Sequence, residues 1–245
     1  MNSTITISIA NFKGGVGKTT SSINVGACLA IKGKKTLLVD LDPQYNLTQS
    51  LGINDPQESV YDALMGKSNL PILSIKDNLD LVPSSLELSK AEFEMASIFK
   101  REFVLSTLLE EVKDKYDFII IDCPPALGVL TINSFVASEY IIIPVEAEYL
   151  SLKGYSILSE AISKIGLEID KVFITKYDSR KVLNRDVLES IKNSLGNKVF
   201  NTLIRDNISL AEAPTSGLDI FSYEPNCNGA IDYESLTNEI IQLLN

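Results

Sequence analysis

The sequence predicts a single α/β domain over residues 1–245, built on a mostly parallel, twisted sheet with helices on both faces. Three observations lead there. Short β-rich runs alternate with helix-length segments along the chain. Several runs, such as Phe118-Ile119-Ile120-Ile121 and Ile141-Ile142-Ile143, are apolar at every position, as strands covered on both faces are. A glycine-rich turn separates the first strand from the first helix.

Strands are expected at 4–10, 36–40, 79–83, 118–122, 140–145 and 172–176, with a weaker one at 199–204. Helices are expected at 18–32, 101–113, 128–137, 151–165, 182–195 and 230–244. No Pro/Gly/Ser-rich linker, internal repeat or low-complexity tract divides the chain. Ligands of such sheets bind beyond the carboxyl ends of the strands, so residues just after each strand are the candidates.

Composition narrows the chemistry. The 245 residues are 45% hydrophobic and 22% charged, enough for one large core. No apolar run approaches the roughly 20 residues of a membrane helix. The first ten residues lack the basic start and long apolar stretch of a signal peptide and read as a strand. Cys28, Cys123 and Cys227 are widely spaced with no metal-type pairing, which fits reduced thiols in a cytoplasmic protein. Histidine is absent, which removes His triads, His metal sites and His general bases.

The phosphate chemistry lies in Lys13-Gly14-Gly15-Val16-Gly17-Lys18-Thr19-Thr20. Glycines let backbone N–H groups approach phosphate oxygens, and a helix N-terminus adds partial positive charge. In that reading Lys18 bridges the β and γ phosphates of ATP and the Thr19 hydroxyl holds Mg²⁺. The strict pattern wants glycine at position 12, where Phe12 stands, and Lys13 is an additional cation. The site is a P-loop variant, which makes the fold that of a P-loop NTPase. Asp122 ends an apolar strand, as the acid near Mg²⁺ does in P-loop enzymes. Asp40 and Asp42 end another. Of these two, one could continue the strand and the other face the γ-phosphate, or either could be a turn or helix-cap aspartate.

These elements resemble the ParA/Soj/MinD group of deviant-Walker ATPases, in particular the small partition ParA proteins. The resemblance is carried by Lys13 to Thr20, Val39-Asp40-Leu41-Asp42-Pro43-Gln44 and Asp122-Cys123-Pro124-Pro125-Ala126-Leu127-Gly128. Thr131-Ile132-Asn133, Pro144, Glu148-Tyr149 and Glu212-Ala213-Pro214 add to it. It implies that Lys13 reaches across a homodimer to the partner's phosphates, like an arginine finger. It implies that Asp42 orients the attacking water near the metal, and that Asp122 is the Mg²⁺-linked acid. The Cys123-Pro124-Pro125 turn would sense the γ-phosphate, with Cys123 as a small packed residue. Arg205 and Asn207 fall where the family's adenine loop lies, although the family usually has proline at position 205. The implied activity is slow ATP hydrolysis, stimulated by a ParB-like centromere-binding partner, for plasmid or chromosome partition in a bacterial cytoplasm.

Partition ATPases of this kind bind nonspecific DNA as ATP dimers. Here Asp206 and Ser209 stand where the family commonly has arginines, and the formal charge is -10. Residues 171–205 carry eight basic and three acidic residues (Lys171, Lys176, Arg180, Lys181, Arg185, Lys192, Lys198, Arg205; Asp178, Asp186, Glu189). Residues 206–245 have seven acidic residues and no Lys or Arg. The basic segment is either a DNA surface, nucleoid-facing in the cell, or a solvated helix face. A MinD-like membrane helix at 230–244 has an apolar stripe, but its polar face is acidic (Asp232, Glu234, Glu239), so packing on the sheet is expected instead. An amidotransferring synthase would need a substrate pocket that no motif marks, and an iron–sulfur reductase would need two axial cysteines. A switch that positions a protein cargo is the main alternative.

Overall fold

The computed structural model describes residues 4–244. Residues 1–3, the start of the first stretch, and Asn245 lie outside it. Eight strands form one sheet in the order β3-β4-β2-β5-β1-β6-β7-β8. They are β1 (Ile5–Ile9), β2 (Thr36–Asp40), β3 (Leu73–Lys76), β4 (Leu79–Val82), β5 (Phe118–Asp122), β6 (Tyr140–Glu146), β7 (Lys171–Tyr177) and β8 (Val199–Arg205). All pairings are parallel except β3 with β4.

The longer helices are α1 (Lys18–Ile31), α5 (Val104–Glu110), α6 (Val129–Val136), α7 (Ser151–Ser163), α8 (Val182–Leu195) and α11 (Asn228–Leu243). Short ones are α2 (Asn46–Ser50), α3 (Val60–Leu64), α4 (Ala91–Glu94), α9 (Ser209–Glu212) and α10 (Ile220–Tyr223).

Strand alternation divides the core. Ile7, Ile9, Leu38, Phe118, Ile120, Ile142 and Phe173 face α1 and α11, where Ile23, Leu29, Tyr233, Leu236 and Ile240 cover them. Leu37, Val39, Ile119, Ile121, Ile141, Ile143 and Ile174 face the other layer, with Leu105, Leu130, Phe135, Leu158, Ile162 and Ile191. Adjacent residues of β5 thus serve opposite layers, which is why its sequence is apolar throughout. The last helix packs on the sheet, as its acidic polar face leads one to expect, and none of the described helices is long and apolar enough to cross a membrane.

Three expectations change. The edge strand β3 was not expected: it is only partly buried and lacks an apolar run, and it pairs with β4 through an irregular register. The helix expected over 101–113 is shorter. A 3₁₀ turn at Arg101–Phe103 precedes it, and after Glu110 the backbone tightens, with Val112 N–H donating to Leu109 C=O. The helix expected to reach 165 stops at Ser163, because Gly166 enters the left-handed region (φ 78°) and the Gly166 and Leu167 amides cap Ser163 and Ile162.

The layer contact between α1 and β2 is close at Gly26. A Cβ there would lie 2.5 Å from Leu38 Cδ2, inside the core. We expect Gly26→Ala to lower unfolding free energy by about 1–3 kcal/mol through overpacking, measured by denaturant titration. A gain from the better helix former would show that the layers relax freely.

Candidate functional site

In the sheet order, β1 lies between β5 and β6. The turn after β1 therefore sits between the loops that leave the other two strands. Local bonds fix the turn. Asn11 Nδ2 donates to Pro144 C=O at 2.7 Å and Asn11 Oδ1 accepts from Lys13 N. Thr175 Oγ1, at the end of β7, donates to Val16 C=O at 2.9 Å. Phe12, in place of the first motif glycine, packs against the core of the α6–α8 layer. Gly15 and Gly17 have φ of 76° and 90°, a region that side chains disfavour.

The residues fit a nucleotide triphosphate and its metal. No atom lies within 4 Å of where a Cβ would stand on Gly14 or Gly15, so the space beside the turn is open to a ligand. Helix α1 begins at Gly17 without a side-chain cap and without an acid in its first turn, which leaves its first N–H groups for an anion. Lys18 is 6% exposed, and its ammonium makes one hydrogen bond among the described residues, to Lys13 C=O at 3.4 Å. Burial lowers its pKa, against the attraction of Asp122 and Asp42. A buried cation with so little compensation is matched to a phosphate.

The metal side is built on Asp122. Its carboxylate is fully buried and accepts hydrogen bonds from Thr19 Oγ1 at 2.7 Å and Ser22 Oγ at 2.9 Å. Mg²⁺ binds proteins through one or two carboxylates together with substrate phosphates, and Thr19, Asp122 and the nearby Asp42 offer that set. When bound, the ion neutralises charge that develops on the phosphates.

Asp40 and Asp42 separate into two roles. Asp40 continues β2, pairs in register with Asp122 and turns inward, accepting from Thr48 N and Thr48 Oγ1 at 2.9 and 2.7 Å and from Asp42 N at 3.2 Å. Asp42 stands beyond the strand end and remains close enough to Lys18 for their charges to interact. It is also a turn aspartate: its Oδ1 accepts from Gln44 N, and its backbone carbonyl accepts from Ser84 Oγ. Burial raises the pKa of both, Asp40 to about 7, while hydrogen bonds from Thr48 pull Asp40 back. Burial and then the Asp40 charge raise Asp122 in the same way.

Lys13, half-exposed, lies against its own chain. Its ammonium donates to Glu146 Oε2 and Glu148 Oε2, each at 2.5 Å. The loop after β5 is closed by Thr131 Oγ1 on Ala126 C=O, and Asn133 ties α6 to Arg101 C=O and Leu105 N. Cys123 is a packed residue: burial pushes its thiol up to about 12, and its sulfur lies 3.0 Å from Ser134 Oγ. Cys28, Cys123 and Cys227 are all free thiols.

Both residues of the expected adenine loop make hydrogen bonds within the chain. The Arg205 guanidinium forks onto Asp232 of α11, at 3.1 and 2.6 Å to Oδ1, and Asn207 Oδ1 accepts from Ser209 N at the start of α9. Reading the sequence missed Ser22, Thr48, Ser84, Glu146 and Lys176. Only Ser22 carried a local signal, being one helical turn from Thr19 on α1. The others join the site through side-chain contacts that the fold sets up: Thr48 on Asp40, Ser84 on Asp42, and Glu146 with Lys13 and Lys176.

Fold and site together define a P-loop ATPase. Residues 4–175 match the AAA_31 family, an AAA domain. The chain is 44% identical to the chromosome-partitioning ATPase Soj of Treponema pallidum, over 96% of each chain. Among solved structures, a Borrelia burgdorferi protein assigned to plasmid partition and bound to AMPPNP is 28% identical with TM-score 0.88, covering 99% of this chain and 100% of that one. Cobyrinic acid a,c-diamide synthase from Mycobacterium smegmatis, with ADP and magnesium, is 31% identical with TM-score 0.86, covering 98% and 95%. The chain belongs to the ParA/Soj family of ATPases. It is an ATP hydrolase of that family.

Two outcomes test the site. Lys18→Ala should abolish ATP and ADP binding in calorimetry while leaving the far-UV spectrum unchanged; retained affinity would remove Lys18 from the phosphates. The second is a pH dependence. A carboxyl whose folded pKa is raised favours the folded state while protonated. That contribution is complete below about pH 4 and is lost as pH rises through about 7 for Asp40. Asp40→Asn keeps an acceptor for Thr48, so the nucleotide-free variant should lose less stability than the parent between about pH 4 and 7. Parallel profiles of denaturation midpoint would refute it.

Proposed function

We propose that this ATPase is a partition switch: ATP favours a homodimer with the nucleotides at the interface, and hydrolysis releases it. One observation carries the reading. The phosphate site opens on a face where Lys13 is half-exposed and Leu127, Tyr149 and Leu150, in the loops after β5 and β6, are exposed apolar side chains. Such a rim around a charged site suits cover by a second copy. The near full-length relative named for chromosome partitioning supports the same reading.

In this mechanism Lys18 and the glycine turn hold the phosphates, and Thr19, Asp122 and Asp42 hold the metal side. Asp42 orients water, and Lys13 leaves its glutamates for a phosphate of the other subunit, supplying positive charge at the transition state. The differential contact that ATP makes over ADP is with the loops after β2 and β5 and with the partner's lysine. Turnover is slow until a centromere-binding protein of the ParB type stimulates it. Asn207 contacts the adenine, while Arg205 supports that loop through Asp232.

The cargo is nonspecific DNA, and the protein acts in the cytoplasm on the nucleoid. The surface that supports this is narrower than the sequence implied. Lys176, Arg180, Lys198 and Arg205 pair with Glu146, Asp178, Glu168 and Asp232, and Lys171 donates to Asn197 C=O. Lys181, Arg185 and Lys192 have no ion pair among the described residues. Lys181 directly precedes α8, Arg185 and Lys192 lie on it, and all three are exposed. Dimerisation doubles that stripe, and phosphate contacts of this kind are strongly salt-dependent.

The test is light scattering on Asp42→Ala with ADP and then ATP, followed by DNA binding of the same sample at low salt. A dimer with ATP alone, which retains DNA, is expected. Lys13→Ala should bind ATP and fail to dimerise. A monomeric, fully active Asp42→Ala protein refutes the water-orienting role. A dimer that ignores DNA leaves a protein cargo as the occupant of the switch.

A further inference from the structure

The reading above has Lys13 leaving two glutamates, and they differ. Glu148 is exposed and water can take over its solvation. The Glu146 side chain is 8% exposed, at the carboxyl end of β6. A buried carboxylate stripped of its cation is costly, far more than an exposed one. Glu146 would therefore restrain Lys13 on its own chain.

A second cation sits on the same carboxylate. Lys176 Nζ lies 2.6 Å from Glu146 Oε1, while Lys13 holds Oε2. Hydrogen bonds from both lysines outweigh the burial that would raise the Glu146 pKa, and lower it. Lys176 is placed there at a conformational cost. Its φ is 50°, one of four non-glycine residues with positive φ among those described. The β7–β8 register shifts between Ile174 and Tyr177, the irregular stretch that holds Lys176. The preceding residue, Thr175, is the one paired in register with Glu146, and its hydroxyl anchors the P-loop at Val16. The strained residue thus brings a cation to a carboxylate that already has one.

We propose that Lys176 is a positioning residue for Lys13: it keeps Glu146 neutralised when Lys13 moves to the partner's phosphate, and so loosens the hold of the resting chain on that lysine. This inference rests on the dimer reading. With both lysines present, departure of Lys13 takes Glu146 from two cations to one. Without Lys176, the same movement would leave a buried, unpaired anion. Lys176 lies outside the glycine turn, and its ammonium is paired with Glu146.

The experiment measures ATP-dependent dimerisation of the full chain by light scattering across protein concentration, in the Asp42→Ala background. Lys176→Met should weaken the dimer about tenfold, within the range of coupling between contacting charges, with ADP affinity of the monomer unchanged. Lys176→Arg should restore the dimer. Glu146→Gln added to Lys176→Met should also restore it, since a neutral side chain needs no cation. A purely structural role for Lys176 would also lower the ADP affinity of the monomer, which this proposal leaves unchanged. A Lys176→Met protein that dimerises like its parent, or one that Glu146→Gln fails to rescue, overturns the proposal. Lys13→Ala separates the two levels. If it dimerises normally, both the crossing of Lys13 and the role of Lys176 fall. If it does not dimerise while Lys176→Met does, only the role of Lys176 falls.

Discussion

The site depends on one buried carboxylate. Asp122 ends β5 with no solvent to stabilise its charge, and each of its oxygens is held by a hydroxyl from α1, Thr19 on one and Ser22 on the other. That pair of bonds joins the phosphate-binding helix to the strand whose following loop carries Pro124 and Pro125. Thr19 is thus tied to the residue directly before that loop. Burial sharpens this coupling, because a charge in a low-dielectric setting responds strongly to what stands beside it.

Around Asp122 the charges are balanced but not saturated. Lys18 is buried with one long hydrogen bond. Asp40, next to Asp122 in register, is sustained by Thr48 and the Asp42 amide. Two acids and one poorly compensated cation make a nucleotide-free site that gains from a phosphate and a divalent ion together more than from either alone. At the rim the arrangement is of another kind. Lys13, Glu146, Glu148 and Lys176 are mutually paired, so the rim is electrically complete in one chain. The centre of the site thus holds a weakly compensated cation among acids, whereas every charge at the rim has a partner.

The basic segment shows how pairing redraws a charge map. Counted along the chain, residues 171–205 look like one positive surface. Folded, most of that charge is spent within the molecule. Arg205 is turned onto Asp232 of the last helix, and Lys198 spans to Glu168. What remains is a stripe on α8 rather than a segment.

The sequence alone determined the strand runs, the glycine turn, the helix after it and the carboxylates at strand ends. All of these are read from neighbours in the chain: apolar alternation, a φ that only glycine takes easily, an acid just past an apolar run. The family followed from the same local strings. Tertiary structure decided that Asp40 turns onto Thr48 while Asp42 stands beyond the strand end within reach of the Lys18 charge, that Lys13 rests on Glu146, and that Arg205 is engaged. It also decided that β3 adds an antiparallel edge. Each of these is a contact between side chains or strands brought together by packing, 133 residues apart for Lys13 and Glu146. No periodicity encodes such contacts, because the partner of a charge depends on which loops the sheet order sets side by side. Lys176 is the clearest case: within its strand it is one more lysine, and only its pairing with the buried Glu146 makes it part of the site.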